Sequence, residues 1–201
     1  MHHLLKNYGY VRDTLPSELI ASLKKECDGA EENNIGFATG LSEAYPQTSD
    51  HYRWVEENKS SLFNFVDGLI GEYEKAFDYI EGWKLLDNNL PCVFGIPWIN
   101  IQKDNHYIPI HTHDGVYSYT CWVDLPEESI FEFIYSSTIG ISESFKIHLT
   151  PHDEGGIILF PALLSHCVHP FSENSKRISI SGNIMLGANT SWVLPFPGKT
   201  G

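Results

Sequence analysis

The chain is poor in basic residues: 13 Lys and Arg stand against 26 Asp and Glu, for a formal charge of −13 over 201 residues. The deficit is general, with 8 basic and 16 acidic groups in residues 1–100 and 5 and 10 in residues 101–201. Neither half has the excess of Lys and Arg that a phosphate-tracking surface needs, so nucleic acid is not an expected partner. Cysteine is also scarce. The four, Cys27, Cys92, Cys121 and Cys167, include no CxxC pair and follow no secretory leader, which points to free thiols in a reducing, cytoplasmic setting. No apolar run approaches the ~20 residues of a membrane span, so no membrane partner is expected. Low-complexity tracts, internal repeats and interdomain linkers are missing too, and the length suits one domain with a substantial core.

What is present divides unevenly: 1–90 as a helical support region, 91–190 as the core, and 191–201 as a tail. Pro16-Ser17-Glu18 opens a short amphipathic helix with Leu19, Ile20 and Leu23 on one side, ending near Asp28-Gly29. A longer helix is predicted from Ser60 to Gly82. There Leu62, Val66, Leu69, Tyr73, Phe77 and Ile80 step by three and four, and the stripe carries no metal-ligand residue. The Gly-, Asn- and Ser-rich text from Glu31 to Asp50 reads as a long loop or short strand.

From Cys92 the hydrophobic period changes to two. Strands are predicted at Val93–Lys103, His106–His111, Val116–Asp124, Ile130–Tyr135, Phe145–Leu149, Gly156–Phe160 and Arg177–Leu186. Short strands behind a helical lead give a mainly β, α+β fold: a double-sheet jelly roll, or double-stranded β-helix, with the helices packed on one sheet.

Seven of the ten histidines lie between His106 and His169. His111 and His113 are two apart, so an extended strand presents both imidazoles on one side. His166 follows the apolar strand Gly156–Phe160 and its Pro161 stop, and a jelly roll can bring it beside the pair. His169 competes for the same role. Eleven residues beyond His166, Arg177, Ser179, Ser181 and Asn183 share one face of a strand whose other face is Ile178, Ile180 and Ile184. Arg177 offers a planar fork suited to a carboxylate.

The order HxH, distal His, Arg-x-Ser resembles the Fe(II)- and 2-oxoglutarate-dependent oxygenases. The run Trp98-Ile99-Asn100, Pro109-Ile110-His111-Thr112-His113, Tyr117-Ser118-Tyr119, Leu125-Pro126, Gly156–Pro161, His166-Cys167-Val168 and Arg177–Ile184 is similar to members of tailed phages and marine bacteria. It covers about residues 92–187.

That resemblance implies a double-stranded β-helix dioxygenase using Fe(II), 2-oxoglutarate and molecular oxygen. Such an enzyme hydroxylates an amino-acid residue or small molecule and releases succinate and CO2. It would be cytoplasmic, a phage-infected host cell being one case. Arg177, with Ser179 and Asn100, would bind the cosubstrate. Tyr107, Tyr117, Tyr119, Trp122 and Asn183 would line the substrate pocket. The chain departs from the family pattern at His113, where a His-x-Asp/Glu motif has its carboxylate. Three ligand sets are open: His111, His113 and His166; Asp114 in place of His113; or His111 and His166 alone. Alternation favours His113, since Asp114 faces away and precedes Gly115 as a turn former.

Two other classes remain. One is a cupin-like metalloprotein using the same histidines without 2-oxoglutarate. The other is a non-enzymatic jelly-roll binding module whose histidines are incidental or hold structural zinc. The sequence is silent on oligomeric state. It leaves Glu31–Asp50 and Ser136–Ser144 as candidate rim segments.

Overall fold

The computed structural model describes residues 8–32, 51–79, 92–172, 175–186 and 193–194. The expected loop at 31–50 and the end of the predicted second helix therefore lie largely outside the described residues. The elements run β1 (Val11–Thr14), α1 (Ser17–Glu32), β2 (His51–Trp54), α2 (Lys59–Phe77), β3 (Cys92–Gly95), β4 (Trp98–Gln102), β5 (Ile108–His111), β6 (Tyr117–Asp124), β7 (Ser129–Ser136), β8 (Ser142–Leu149), a 3-10 turn (Pro151–Asp153), β9 (Gly156–Pro161), β10 (His166–Val168), β11 (Arg177–Leu186) and β12 (Val193–Leu194). No helix among the described residues is long and apolar enough to cross a membrane.

The period-two pattern makes two antiparallel sheets, the double-stranded β-helix expected from the sequence. The larger has β1, β9, β6 and β11 in order; β11 then pairs with β4 along Arg177–Ser181 and with β3 along Ile184–Leu186. β2 extends β4, and β12 extends β3. The smaller sheet has the order β5, β10, β7, β8.

Alternation sorts the larger sheet's residues between two cores. Ile99, Ile101, Cys121, Ile157, Leu159, Ile178 and Ile180 pack with the helices. Trp122, Ile158 and Phe160 face the smaller sheet's Phe131, Phe133, Ile147 and Leu149.

Helix α2 buries Leu62, Phe63, Val66, Leu69, Ile70 and Tyr73 in the first core. At roughly 1.5–3 kcal/mol per buried large apolar side chain, this face outweighs any intrinsic helix preference. It ends at Phe77, short of the predicted Gly82, because Asp78 turns left-handed (φ 49°) and returns its N–H to the Glu74 carbonyl. Its start is tied to α1: the buried Glu26 carboxylate accepts the N–H groups of Glu56, Glu57 and Asn58 and the Asn58 side-chain amide.

The structure refines the expected element boundaries. Val93–Lys103 is two strands, broken at Ile96-Pro97, which lets β3 and β4 pair with different lengths of β11. The lead is not wholly helical, since β1 and β2 add edges to the larger sheet. Residues 136–144 form the β7–β8 hairpin, closed by Ser137 N–H to Ile141 carbonyl and Gly140 at φ 81°.

Candidate active site

Between the sheets lies a cavity of about 250 Å³, lined by both predicted chemical clusters. His111 ends β5, and His166 begins β10 directly opposite in the antiparallel register. His113 lies just beyond β5, its backbone N–H held by the Ala162 carbonyl at 2.9 Å. The ring centroids are 4.3 Å apart for His111–His166, 4.8 Å for His111–His113 and 5.1 Å for His113–His166. One ligand atom from each lies within 4.8 Å of the other two.

Hydrogen bonding orients two of these rings. His111 Nδ1 is 2.8 Å from the Pro109 carbonyl, and His166 Nδ1 is 2.9 Å from the Leu164 carbonyl. A carbonyl only accepts, so each Nδ1 carries the proton and each Nε2 keeps its lone pair, the tautomer a metal ligand needs. Phe131 stacks on His166, and Phe160 meets it edge-on. Burial lowers the His111 pKa, with the Pro109 hydrogen bond opposing. Burial and the neighbouring His111 push His113 down to about 4 and His166 to about 3. All three are neutral at pH 7. The donor set suits a divalent transition metal: three neutral imidazoles leave positions free for other ligands.

Arg177 lies on the same cavity and is 1 % exposed. Its Nε donates to Gln102 Oε1 (2.8 Å). Its Nη1 donates to Ser129 Oγ (2.8 Å) and the His169 carbonyl (3.0 Å), and its Nη2 reaches the His106 carbonyl at 3.5 Å. The guanidinium also sits 4.9 Å over Phe171. Every one of these partners is neutral, and among the described residues no carboxylate pairs with the cation. Burial pushes its pKa down to about 9, so it is still charged at pH 7. A buried cation without an anion is costly. An anionic ligand entering the cavity would relieve that cost. Nη2 has one N–H unassigned and one long contact. Ser179 Oγ accepts from Asn100 Nδ2 at 3.4 Å, which leaves its own proton to donate.

The structure therefore brings His111, His113, His166, Arg177, Ser179, Asn100, Tyr119 and Trp122 onto one cavity. It does not bring Asp114 there: that side chain is exposed at the turn and lies outside the histidine cluster. Three pocket expectations are corrected. Tyr117 faces the helices and bonds Glu74, whereas β6 turns Thr120 and Trp122 toward the cavity. Asn183 accepts from Ser118 Oγ at 2.7 Å, beyond the cavity's end. Tyr107 is half-buried and does not line the cavity, and neither does any residue of 136–144. Tyr119 borders it with a buried hydroxyl lacking a hydrogen-bond partner among the described residues; its ring crosses Gly182, where a Cβ would lie 2.3 Å from that hydroxyl.

The sequence reading missed Gln102, Trp54, Phe131 and Phe160 as cavity residues. Gln102 was findable, since Trp98, Asn100 and Gln102 alternate on one face of β4. The register then sets them opposite Ser181, Ser179 and Arg177.

Residues 97–183 match the family model described as "Putative 2OG-Fe(II) oxygenase". That match spans less than half of the chain. No curated protein matches the chain. Among solved structures, the chain resembles a Pseudomonas putida prolyl-4-hydroxylase (13% identity, 89% of this chain and 93% of that one, TM-score 0.62). It also resembles a Trichoplax adhaerens prolyl hydroxylase in complex with a hypoxia inducible factor peptide fragment (11%, 89% and 84%, TM-score 0.63). A third is HygX from Streptomyces hygroscopicus with nickel and 2-oxoglutarate bound (10%, 87% and 81%, TM-score 0.58). At these identities the likenesses establish the fold alone. The family match covers the whole histidine and arginine constellation.

Proposed function

We propose that the protein is a hydroxylase of an amino-acid residue or small molecule. In this reading His111, His113 and His166 hold the iron, and Arg177 with Ser179 and Asn100 holds the far carboxylate of 2-oxoglutarate. The observation that carries the assignment is the pairing, in one cavity, of three neutral imidazoles with a buried, carboxylate-free guanidinium. The three-histidine set is preferred over one with Asp114 because His113 shares the cluster while Asp114 points to solvent.

The chain's own residues have defined tasks. The Pro109 and Leu164 carbonyls fix His111 and His166 in the ligating tautomer. Gln102, Ser129 and the His169 carbonyl hold the guanidinium rigid, so little freedom is lost when an anion binds. Phe131, Phe160, Trp122 and Val168 exclude water from the cavity. When bound, iron with the keto acid supplies the oxidising chemistry, which the protein orients and keeps dry. Trp54 and Trp98 also line the cavity, offering a neutral aromatic surface to an uncharged segment of substrate.

Succinate formation from 2-oxoglutarate tests the reading. It should require both Fe(II) and oxygen, and should vanish in His111→Ala and His166→Ala. Turnover that persists in either folded variant would refute the ligand assignment; none in the iron-loaded wild type, with candidate amino-acid and peptide substrates present, would refute the function.

A further inference from the structure

A second group of ligating side chains sits on the back of the wall that carries His166. Along β10, His166 and Val168 line the cavity. Alternation turns Cys167 to the opposite, outer face of the smaller sheet, and His169 continues on that side. Directly across from Cys167 in the register is Glu132 of β7, whose neighbours Phe131 and Phe133 are buried inside. His169 Nε2 lies 2.5 Å from Glu132 Oε2, and the Cys167 thiol points at that same oxygen from 3.9 Å. One donor atom from each residue lies within 4.8 Å of the other two. All three are half-buried, so the donors are fixed by the sheet yet within reach of solvent.

We propose that Glu132, Cys167 and His169 form a second metal site, separate from the histidine cavity, for a zinc-class divalent cation. Zinc takes sulfur at about 2.3 Å and imidazole nitrogen or carboxylate oxygen at about 2.0–2.2 Å in a tetrahedron. Those lengths put neighbouring donors about 3.3–3.6 Å apart. The present spacings of 2.5 and 3.9 Å bracket that range, so side-chain rotation alone opens the site.

The charge balances as well. A thiolate and a carboxylate neutralise a doubly charged ion, and neutral imidazole is the third ligand. On binding, the Cys167 proton passes to solvent. His169 gives up its Nε2 hydrogen bond to Glu132 and carries its proton on Nδ1. Water fills the fourth position. The ligand type separates the two sites, because a thiolate favours zinc-like ions and the cavity offers nitrogen alone.

Lys146, opposite Glu132 on β8, is the opposing cation; it sits on a long flexible stem that can swing aside, and Ser144 hydrogen-bonds the same carboxylate. The protein's overall −13 charge draws cations toward the site. Occupancy would tie β7 to β10. That strand begins with His166, and the carbonyl of His169 just past it holds Arg177.

Cobalt(II) is the probe, added to the full chain in the presence of a non-thiol reductant. The expected result is a near-ultraviolet thiolate-to-cobalt charge-transfer band that saturates by two equivalents, the histidine cavity taking the other one. The histidine cavity has no sulfur and cannot produce it. The band should disappear in Cys167→Ser, weaken about tenfold or more in affinity in Glu132→Gln, and survive in Cys92→Ser. In unaltered protein, zinc should slow alkylation of Cys167 by iodoacetamide about tenfold or more, read by peptide mass. This second measurement needs no variant to fold. No thiolate band with wild type, a band that persists in Cys167→Ser, or an alkylation rate indifferent to zinc would each overturn the proposal.

Discussion

Replacing Arg177 by Gln removes the one buried cation of the cavity and nothing that touches the histidine cluster. Four of its five N–H groups are directed at Gln102, Ser129 and the carbonyls of His169 and His106, the last at a long 3.5 Å. An incoming carboxylate therefore meets Nη2, helped by the Ser179 hydroxyl, rather than a free two-pronged fork. Truncating one partner of a buried, hydrogen-bonded charge pair costs about 2–5 kcal/mol. At 1.4 kcal/mol per tenfold, the 2-oxoglutarate Kd should rise about 30- to 4,000-fold. Ser179→Ala removes one hydrogen bond of about 0.5–1.5 kcal/mol and should raise Kd only about 2- to 12-fold. The assay is anaerobic calorimetric titration of 2-oxoglutarate into Fe(II)-loaded protein, with circular dichroism confirming that each variant is folded. Iron affinity should be unchanged in Arg177→Gln. A folded Arg177→Gln protein whose 2-oxoglutarate Kd stays within about threefold of wild type would refute the reasoning.

Three further outcomes are expected. His113→Ala should weaken Fe(II) binding by at least about tenfold, while exposed Asp114→Ala leaves it unchanged; anaerobic metal titration reads both, and the reverse order would reassign the third ligand. Metal-free protein should lose stability as pH falls from 6.5 toward 4. The unfolded chain then binds protons at its histidines, whereas folded His113 and His166 titrate only near 4 and 3; denaturant melts showing no such loss would contradict their burial as neutral rings. Glu26→Gln should cost about 1.5–3 kcal/mol in the same melts, since the carboxylate accepts the three N–H groups leading into α2.

Much of this site is legible in the sequence because alternation is a strict rule. The isoleucines of β11 pack on the helices, and Arg177, Ser179 and Ser181 face the cavity, as their period of two requires. The same rule, applied to β6, separates Tyr117, in the core against the helices, from Trp122, in the core between the sheets. Asn183 keeps the parity of Arg177 but lies beyond the point where β11 changes partner from β4 to β3, so sharing a face did not mean sharing a site. The Val11–Thr14 strand carries no such signal: Val-Arg-Asp-Thr is mostly exposed and belongs to the sheet through backbone pairing with β9. The supports of Arg177 come from β4, the start of β7 and the carbonyls of His106 and His169. No local spacing joins these, and only the register does.

The most direct test of the central claim is anaerobic titration of metal-free protein with Fe(II) and then 2-oxoglutarate, followed in the visible. If one cavity holds both, a weak metal-to-ligand charge-transfer band should grow with the keto acid and saturate at one equivalent. It should shift to higher 2-oxoglutarate concentration in Arg177→Gln and be lost in His166→Ala. Iron binding without any band, or a band indifferent to both variants, would contradict the account.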